Sequence, residues 1–275
     1  DRKSRQMIHR AKKMNPDAVV VAVGCYVQTS TEEVLQDLSI VIAIGNNRKK
    51  DLVETIEEYL RRSEQERESS TIEEKKSFSE RNIIDINHTD EYEDMQLSHT
   101  AEHTRAFLKV QDGCNQFCSY CIIPYARGRI RYRAMEEILK EVRELTANGY
   151  QEIVLTGIHL SSYGMDKGND LTKSRLGELI RAVNAVEGVR RIRLGSLEPR
   201  IITEEFAKEL SQCEKLCPHF HLSLQSGCDS VLQRMNRKYT TGEYYEKVEI
   251  LRKFFDKPAI TTDVIVGFPQ ETEEE

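Results

Sequence analysis

The chain reads as an α/β protein, with a truncated doubly wound domain followed by a partial parallel (β/α) barrel. Three observations point there. Residues 18–24 (AVVVAVG) and 40–44 (IVIAI) are continuous apolar runs, the composition of parallel strands buried on both faces. Helical patterns surround both runs. Residues 105–275 then repeat a short apolar run followed by an amphipathic one, which is the rhythm of βαβ units.

In order, residues 2–13 read as a helix that stops near Asn15-Pro16, where proline cannot continue it. Residues 30–38 read as a short helix with Ser30 as N-cap, and residues 48–62 close the first domain, 1–62, as a helix. Residues 63–104 carry twelve acidic and four basic residues and weak periodicity. They read as an acidic linker with one short strand at 82–86. In the third region, 105–275, the strands fall at 107–111, 152–156, 190–194, 219–224 and 261–266. The helices fall at 135–148, 176–186, 204–212, 230–234 and 242–255. Five such units do not complete an eight-fold barrel. The chain opens without Met inside a helical pattern and ends on acidic residues suited to a helix's first turn. It is therefore expected to be an internal piece of a longer protein.

Composition narrows the classes. No run of 18 apolar residues exists, so no membrane span is expected, and no secretion signal opens the chain. Seven cysteines, three of them within eight residues, suit a metal site better than disulfides and imply the reducing cytoplasm. The net charge of −6 is concentrated in the linker, while residues 105–133 hold six basic residues against Asp112 alone. An anionic partner fits that stretch.

Cys114, Cys118 and Cys121 have C-x3-C-x2-C spacing directly after the first barrel strand. Three thiolates on one tight loop can ligate three irons of a [4Fe–4S] cluster. The fourth iron stays open to the amino and carboxylate groups of S-adenosylmethionine (SAM). Ligand sites of parallel barrels lie at this end of the strands. The alternative is zinc, which wants four ligands, commonly as paired C-x2-C units. No second pair follows at a suitable distance, and His99 and His103 lie upstream in the linker.

Residues 113–133 (GCNQFCSYCIIPYARGRIRYR), 152–164 (EIVLTGIHLSSYG), 191–199 (RIRLGSLEP), 222–227 (LSLQSG), 232–240 (LQRMNRKYT) and 263–272 (DVIVGFPQET) resemble the radical SAM methylthiotransferases. The branch resembled acts on threonylcarbamoyladenosine in bacterial tRNA. The resemblance covers nearly the whole chain outside the linker. It implies a barrel of radical SAM type, SAM as cofactor and two [4Fe–4S] clusters in the full-length protein. One complete ligand set, Cys114, Cys118 and Cys121, is present here. Cys25, at the end of a buried strand, matches the third ligand of the N-terminal cluster, whose first two ligands and the family's C-terminal RNA-binding domain are absent from the chain. The resemblance further implies tRNA as substrate, an electron donor such as flavodoxin or ferredoxin, an unspecified sulfur donor and methylthiolation of carbon 2 of the adenine. Relatives acting on isopentenyladenosine in tRNA or on a ribosomal protein are the nearest rivals. A non-catalytic, metal-stabilised RNA-binding protein is the rival of another class.

Supporting positions follow. Tyr120 is placed beside the SAM adenine, or else packs under the loop. Thr156 and Gly157 let backbone approach the SAM amino group, since glycine has no Cβ. Glu198 and Gln225, each after a barrel strand, face the mouth and suit SAM polar groups, or else cap loops. Ile265 and Gly267 flank the adenine or serve strand packing. Arg127, Arg129, Arg131 and Arg133 alternate, so an extended segment puts them on one face, with Tyr125 and Tyr132 nearby. That face suits RNA phosphates and base stacking, or is a solvated surface. Arg237 and Lys238 form a second, weaker patch. Cys213, Cys217 and Cys228 read as structural.

Overall fold

The computed structural model describes residues 2–65, 79, 82–95, 104–165, 168 and 170–275. It divides into one unit of Asp1–Met95 with Ile122–Arg129 and another of Gln96–Cys121 with Ile130–Glu275.

The first unit contains α1 (Arg2–Met14), β1 (Val21–Val23), α2 (Cys25–Thr29), α3 (Thr31–Gln36), β2 (Ile42–Ile44), α4 (Leu52–Gln65) and α5 (Ile123–Arg127). β1 and β2 pair in parallel, Ala22 opposite Ala43. Alternate residues bury opposite faces: Ala22 and Ala43 pack with Val27, Val34 and Ile40, while Ile42 and Ile44 pack with Leu52, Ile56 and Tyr59. The doubly wound alternation is thus present with shorter strands than expected. The helix expected over 30–38 is α3, with Ser30 at its N-cap position, and a separate short helix, α2, precedes it. Ser30 has φ −131° and ψ 40° and makes no side-chain cap.

Residues 82–95 depart from the expected linker. The strand expected at 82–86 is absent; extended chain leads into one 3₁₀ turn at Ile86–His88, where the Asp85 side chain accepts from Asn87 N. This segment belongs to the first unit. Gly45 N donates to Asn82 O at 2.9 Å, Gln28 Nε2 to Ile84 O at 2.9 Å, and Asn47 Nδ2 to Glu91 O at 3.1 Å. Ile86 is fully buried. The amide side chains take the hydrogen bonds a neighbouring strand would have taken, so the segment is fastened without being a strand. The rest of the linker, including His99 and His103, lies outside the described residues.

The second unit runs β3 (Ala106–Asp112), β4 (Arg131–Tyr132), α6 (Met135–Ala147), β5 (Glu152–Gly157), α7 (Leu176–Asn184), β6 (Arg191–Leu194), α8 (Glu204–Ser211), β7 (His219–His221), α9 (Asp229–Arg234), α10 (Thr241–Phe254) and β8 (Ala259–Thr261). The order β4-β3-β5-β6 forms one sheet, with β4 antiparallel at its edge. Parallel bridges at Ile192–Leu216 and Leu197–Leu222 carry the sheet on to the parallel pair β7-β8. Five parallel strands in chain order, with helices between them, make the partial barrel. One core joins Leu108, Val110, Ile153, Leu155 and Ile192 to Ile138, Val142, Leu179, Val183 and Leu210 of the helices. Thr240 caps α10 through a capping box with Glu243. The last two strands are shorter than expected. Beyond Thr261 a single bridge joins Gln225 to Val264, and Val264 and Val266 are exposed. Among the described residues, no helix is long and apolar enough to cross a membrane.

Candidate active site

The cysteine loop leaves β3 through Gly113, whose φ of 72° is a left-handed conformation that glycine adopts without strain. Just before it, Gln111 is completely buried. Its Nε2 donates to the carbonyls of Asp112 at 2.7 Å and Gly113 at 2.8 Å, and its Oε1 accepts from His159 N at 2.7 Å. A register shift between Lys109 and Gln111 lets the amide reach both strands. A Cβ on Gly157 would lie 2.9 Å from the Gln111 Cβ and Oε1. Glycine there makes room for Gln111, a reason apart from the expected approach of SAM.

The far side of the loop is fastened to the end of α9. Ser119 N donates to Met235 O at 3.1 Å, Ser119 Oγ to Arg234 O at 2.8 Å, and Asn236 Nδ2 to Phe117 O at 2.8 Å. Cys121 N donates to Cys118 O at 3.0 Å, closing the turn between those two ligands. All three cysteines are half-buried free thiols. Burial pushes the Cys114 thiol up to about 11, and the neighbouring Cys118 and Cys121 add to it, so the three sulfurs sense one another. Arg237 Nη1 donates to Cys118 Sγ at 3.4 Å. Burial works against the Arg237 charge, yet Tyr239 and Cys118 beside it hold the guanidinium above its ordinary value. Three thiols on one loop beside a fixed cation have the chemistry of the three-cysteine ligand set of a [4Fe–4S] cluster, whose net charge is negative when thiolate-bound.

The cofactor candidates sit at the same ends of the strands. Tyr120 is partly exposed and meets Phe268 edge-on at 6.2 Å. Thr156 Oγ1 turns back to Leu108 O at 3.4 Å. Glu198 is buried, and its Oε1 accepts from Arg200 Nε at 2.6 Å. Arg200 Nη2 in turn donates to Gln116 Oε1 at 3.3 Å, which joins Glu198 to the cysteine loop. Gln225 has a left-handed φ of 69° and bonds the chain beyond β8, its N–H donating to Asp263 O and its carbonyl accepting from Ile265 N. Ile265 is half-buried, and Gly267, at φ 69°, borders open space.

The arginine stripe does not form as expected. Arg131 and Arg133 are 3% exposed. Arg133 Nη1 bonds Glu141 Oε2 at 2.5 Å, and Arg131 Nη2 lies 4.0 Å from Asp112 Oδ2. The alternation is real, but this face turns inward onto carboxylates that spacing alone does not reveal. Tyr132 packs edge-on against Tyr163 at 5.6 Å. Arg127 and Arg129 fall in the first unit, where Arg129 and Tyr125 are exposed.

Cys25 opens α2, behind Gly24 at φ 95°. Asn46 Nδ2 donates to its Sγ at 3.4 Å and to Ala126 O at 2.5 Å. Cys213 and Cys217 are buried, and Cys228 Sγ lies 3.2 Å from Ser230 Oγ. Sequence reasoning missed Gln111, His159 and Arg200. A polar residue closing an apolar strand was the available signal for Gln111.

Residues 108–275 match the radical SAM superfamily. Over its whole length the chain is 42% identical to the threonylcarbamoyladenosine tRNA methylthiotransferase MtaB of Aquifex aeolicus and 40% identical to that of Bacillus subtilis. It spans 62% and 57% of their lengths. It is 36% identical over 271 residues, 96% of the chain and 55% of the relative, to the tRNA-2-methylthio-N(6)-dimethylallyladenosine synthase of Clostridium tetani. In fold it is similar to the radical SAM methyltransferase TsrM from Kitasatospora setae, with TM-score 0.59 and 16% identity over 95% of the chain and 53% of that structure. The matched segment begins within β3 and takes in the cysteine loop and every later strand, and on that match the chain belongs to the radical SAM superfamily.

Proposed function

We propose that the chain is the catalytic part of a cytoplasmic tRNA methylthiotransferase that modifies carbon 2 of N6-threonylcarbamoyladenosine next to the anticodon. The observation that carries the reading is the cysteine loop, fixed from β3 by Gln111 and from α9 by Ser119 and Asn236. Two relatives named for this nucleoside are 42% and 40% identical over the whole chain, whereas dimethylallyl-type relatives reach 36% over 271 residues or 44% over 170, and the agreement over the whole chain supports the choice of nucleoside.

Cys114, Cys118 and Cys121 hold a [4Fe–4S] cluster, which when bound supplies the electron for reductive cleavage of SAM. Arg237 offsets negative charge at the ligand side. Tyr120, Thr156, Gly157, Glu198, Gln225, Ile265 and Gly267 line the SAM position. Cys25 serves as one ligand of a second cluster. Arg127 and Arg129 contact tRNA, and a flavodoxin or ferredoxin delivers electrons.

The test is nucleoside mass spectrometry on tRNA from cells lacking the gene, complemented by wild type or by Cys118→Ala. Loss of 2-methylthio-N6-threonylcarbamoyladenosine, its return with wild type and its absence with Cys118→Ala support the reading. Loss of the dimethylallyl-type product or of a ribosomal-protein modification instead assigns a sister substrate. A colourless, zinc-bound protein without SAM cleavage overturns the enzymatic reading.

A further inference from the structure

His159 of the second unit is half-buried. Both ring nitrogens of His159 are sealed from solvent and, among the described residues, make no hydrogen bond. Its backbone is fully engaged. His159 N donates to Gln111 Oε1 at 2.7 Å, and its carbonyl accepts from Ser162 N and Ser162 Oγ, each at 2.8 Å. These bonds fix the backbone of His159 just past the C-terminal end of β5, the strand next to the one that carries the cysteine loop. Buried donors and acceptors are ordinarily satisfied, so an imidazole with two unmet nitrogens there points to a ligand.

The surroundings say what that is. Burial, then the charges of Arg237 and Arg200, keep the imidazole neutral, its pKa down to about 4. Both guanidinium groups are themselves anchored. Arg237 Nε bonds Tyr239 Oη at 3.0 Å and Arg200 Nε bonds Glu198 at 2.6 Å, so they act as fixed charges rather than mobile arms. Glu198 engages Arg200, and Arg237 faces Cys118 Sγ. A neutral N–H donor flanked by two fixed guanidinium groups in a water-poor site suits a carboxylate acceptor.

We infer that His159, with Arg200 and Arg237 around it, recognises the carboxylate of the substrate's threonylcarbamoyl group. This rests on the substrate reading above and makes His159 a specificity residue within it. A dimethylallyl group carries no carboxylate and gains nothing from such a subsite.

The experiment measures equilibrium binding of free N6-threonylcarbamoyladenosine and of its carboxamide to the reconstituted protein under anaerobic conditions, with SAM titrated alone as a second arm. Wild type is expected to hold the acid roughly ten-fold or more tighter than the carboxamide, the range of one charge-assisted hydrogen bond. His159→Leu should abolish that preference with SAM affinity unchanged, and His159→Gln, which keeps a donor, should restore part of it. In wild type carrying ¹⁵N-labelled histidine, the acid should move the His159 ring resonances more than the carboxamide does, a readout that needs no variant. The inference is overturned by equal binding of acid and carboxamide to wild type, by a preference that survives in His159→Leu, or by ring resonances that move with SAM alone as much as with the acid. Failure of the substrate reading looks different: tRNA nucleosides in the gene-deletion assay stay unchanged whatever the binding ratio.

Discussion

The backbone amide of His159 donates to the Gln111 side chain at 2.7 Å, and this contact ties the turn after β5 to the cysteine loop after β3. Gln111 satisfies two loop carbonyls with its other end. Gln111→Leu keeps the volume but leaves His159 N–H and those carbonyls unmet in the interior. The expected cost is about 2–4 kcal/mol in urea unfolding, together with a lower iron-to-protein ratio after reconstitution. An unchanged ratio would mean that the ties from Ser119, Asn236, Arg237 and Arg200 hold the loop without Gln111.

Gly157 should be intolerant for a related reason. In Gly157→Ala the new methyl meets Gln111 at 2.9 Å. Overpacking of this kind costs roughly 1–3 kcal/mol. Thermal melting should show the loss, and SAM binding should weaken because the end of β5 is displaced.

The pair Arg133–Glu141 is buried inside the second unit. Glu141→Ala leaves a guanidinium charge buried without its carboxylate, at a cost on the order of 3–5 kcal/mol. Arg129→Glu, at an exposed position, should shift the unfolding midpoint far less. It should also lower tRNA affinity and flatten its salt dependence. Paired unfolding and filter-binding measurements separate the two.

His159 also gives a pH signature. Its pKa lies at about 4 in the folded protein against an ordinary 6.5, so below pH 6.5 the unfolded chain binds the extra proton first. Its contribution is complete above pH 6.5 and is lost as pH falls from 6.5 to 4, for a total of ~3 kcal/mol. Subtracting the His159→Gln stability curve from that of wild type should return this slope in that window and none above pH 7.

The parallel strands were legible in the sequence because each is a short apolar run. The cysteine loop was legible because its ligands sit within eight residues. The arginine stripe was misread because alternation fixes a shared face without saying whether water or Glu141 lies opposite it. The fastened segment 82–95 was hidden by its acidity; its attachment depends on Gln28 and Asn47, tens of residues away. Gln111 and His159 were missed for a similar reason, since their meeting requires β3 and β5 to pair first.

The first unit is discontinuous in sequence, and that sets an order of events during synthesis. Asn46 bonds Ala126, 80 residues downstream, and α5 immediately follows Cys121. Closing a loop of that length costs ~4 kcal/mol of chain entropy before any contact repays it. The unit that carries Cys25 therefore stays unfinished on the ribosome until the whole cysteine loop has been made. A nascent chain stalled short of residue 127 should leave residues 1–62 open to protease, and a few more residues should close them. Completion of the Cys25 unit thus always comes after synthesis of the cysteine loop.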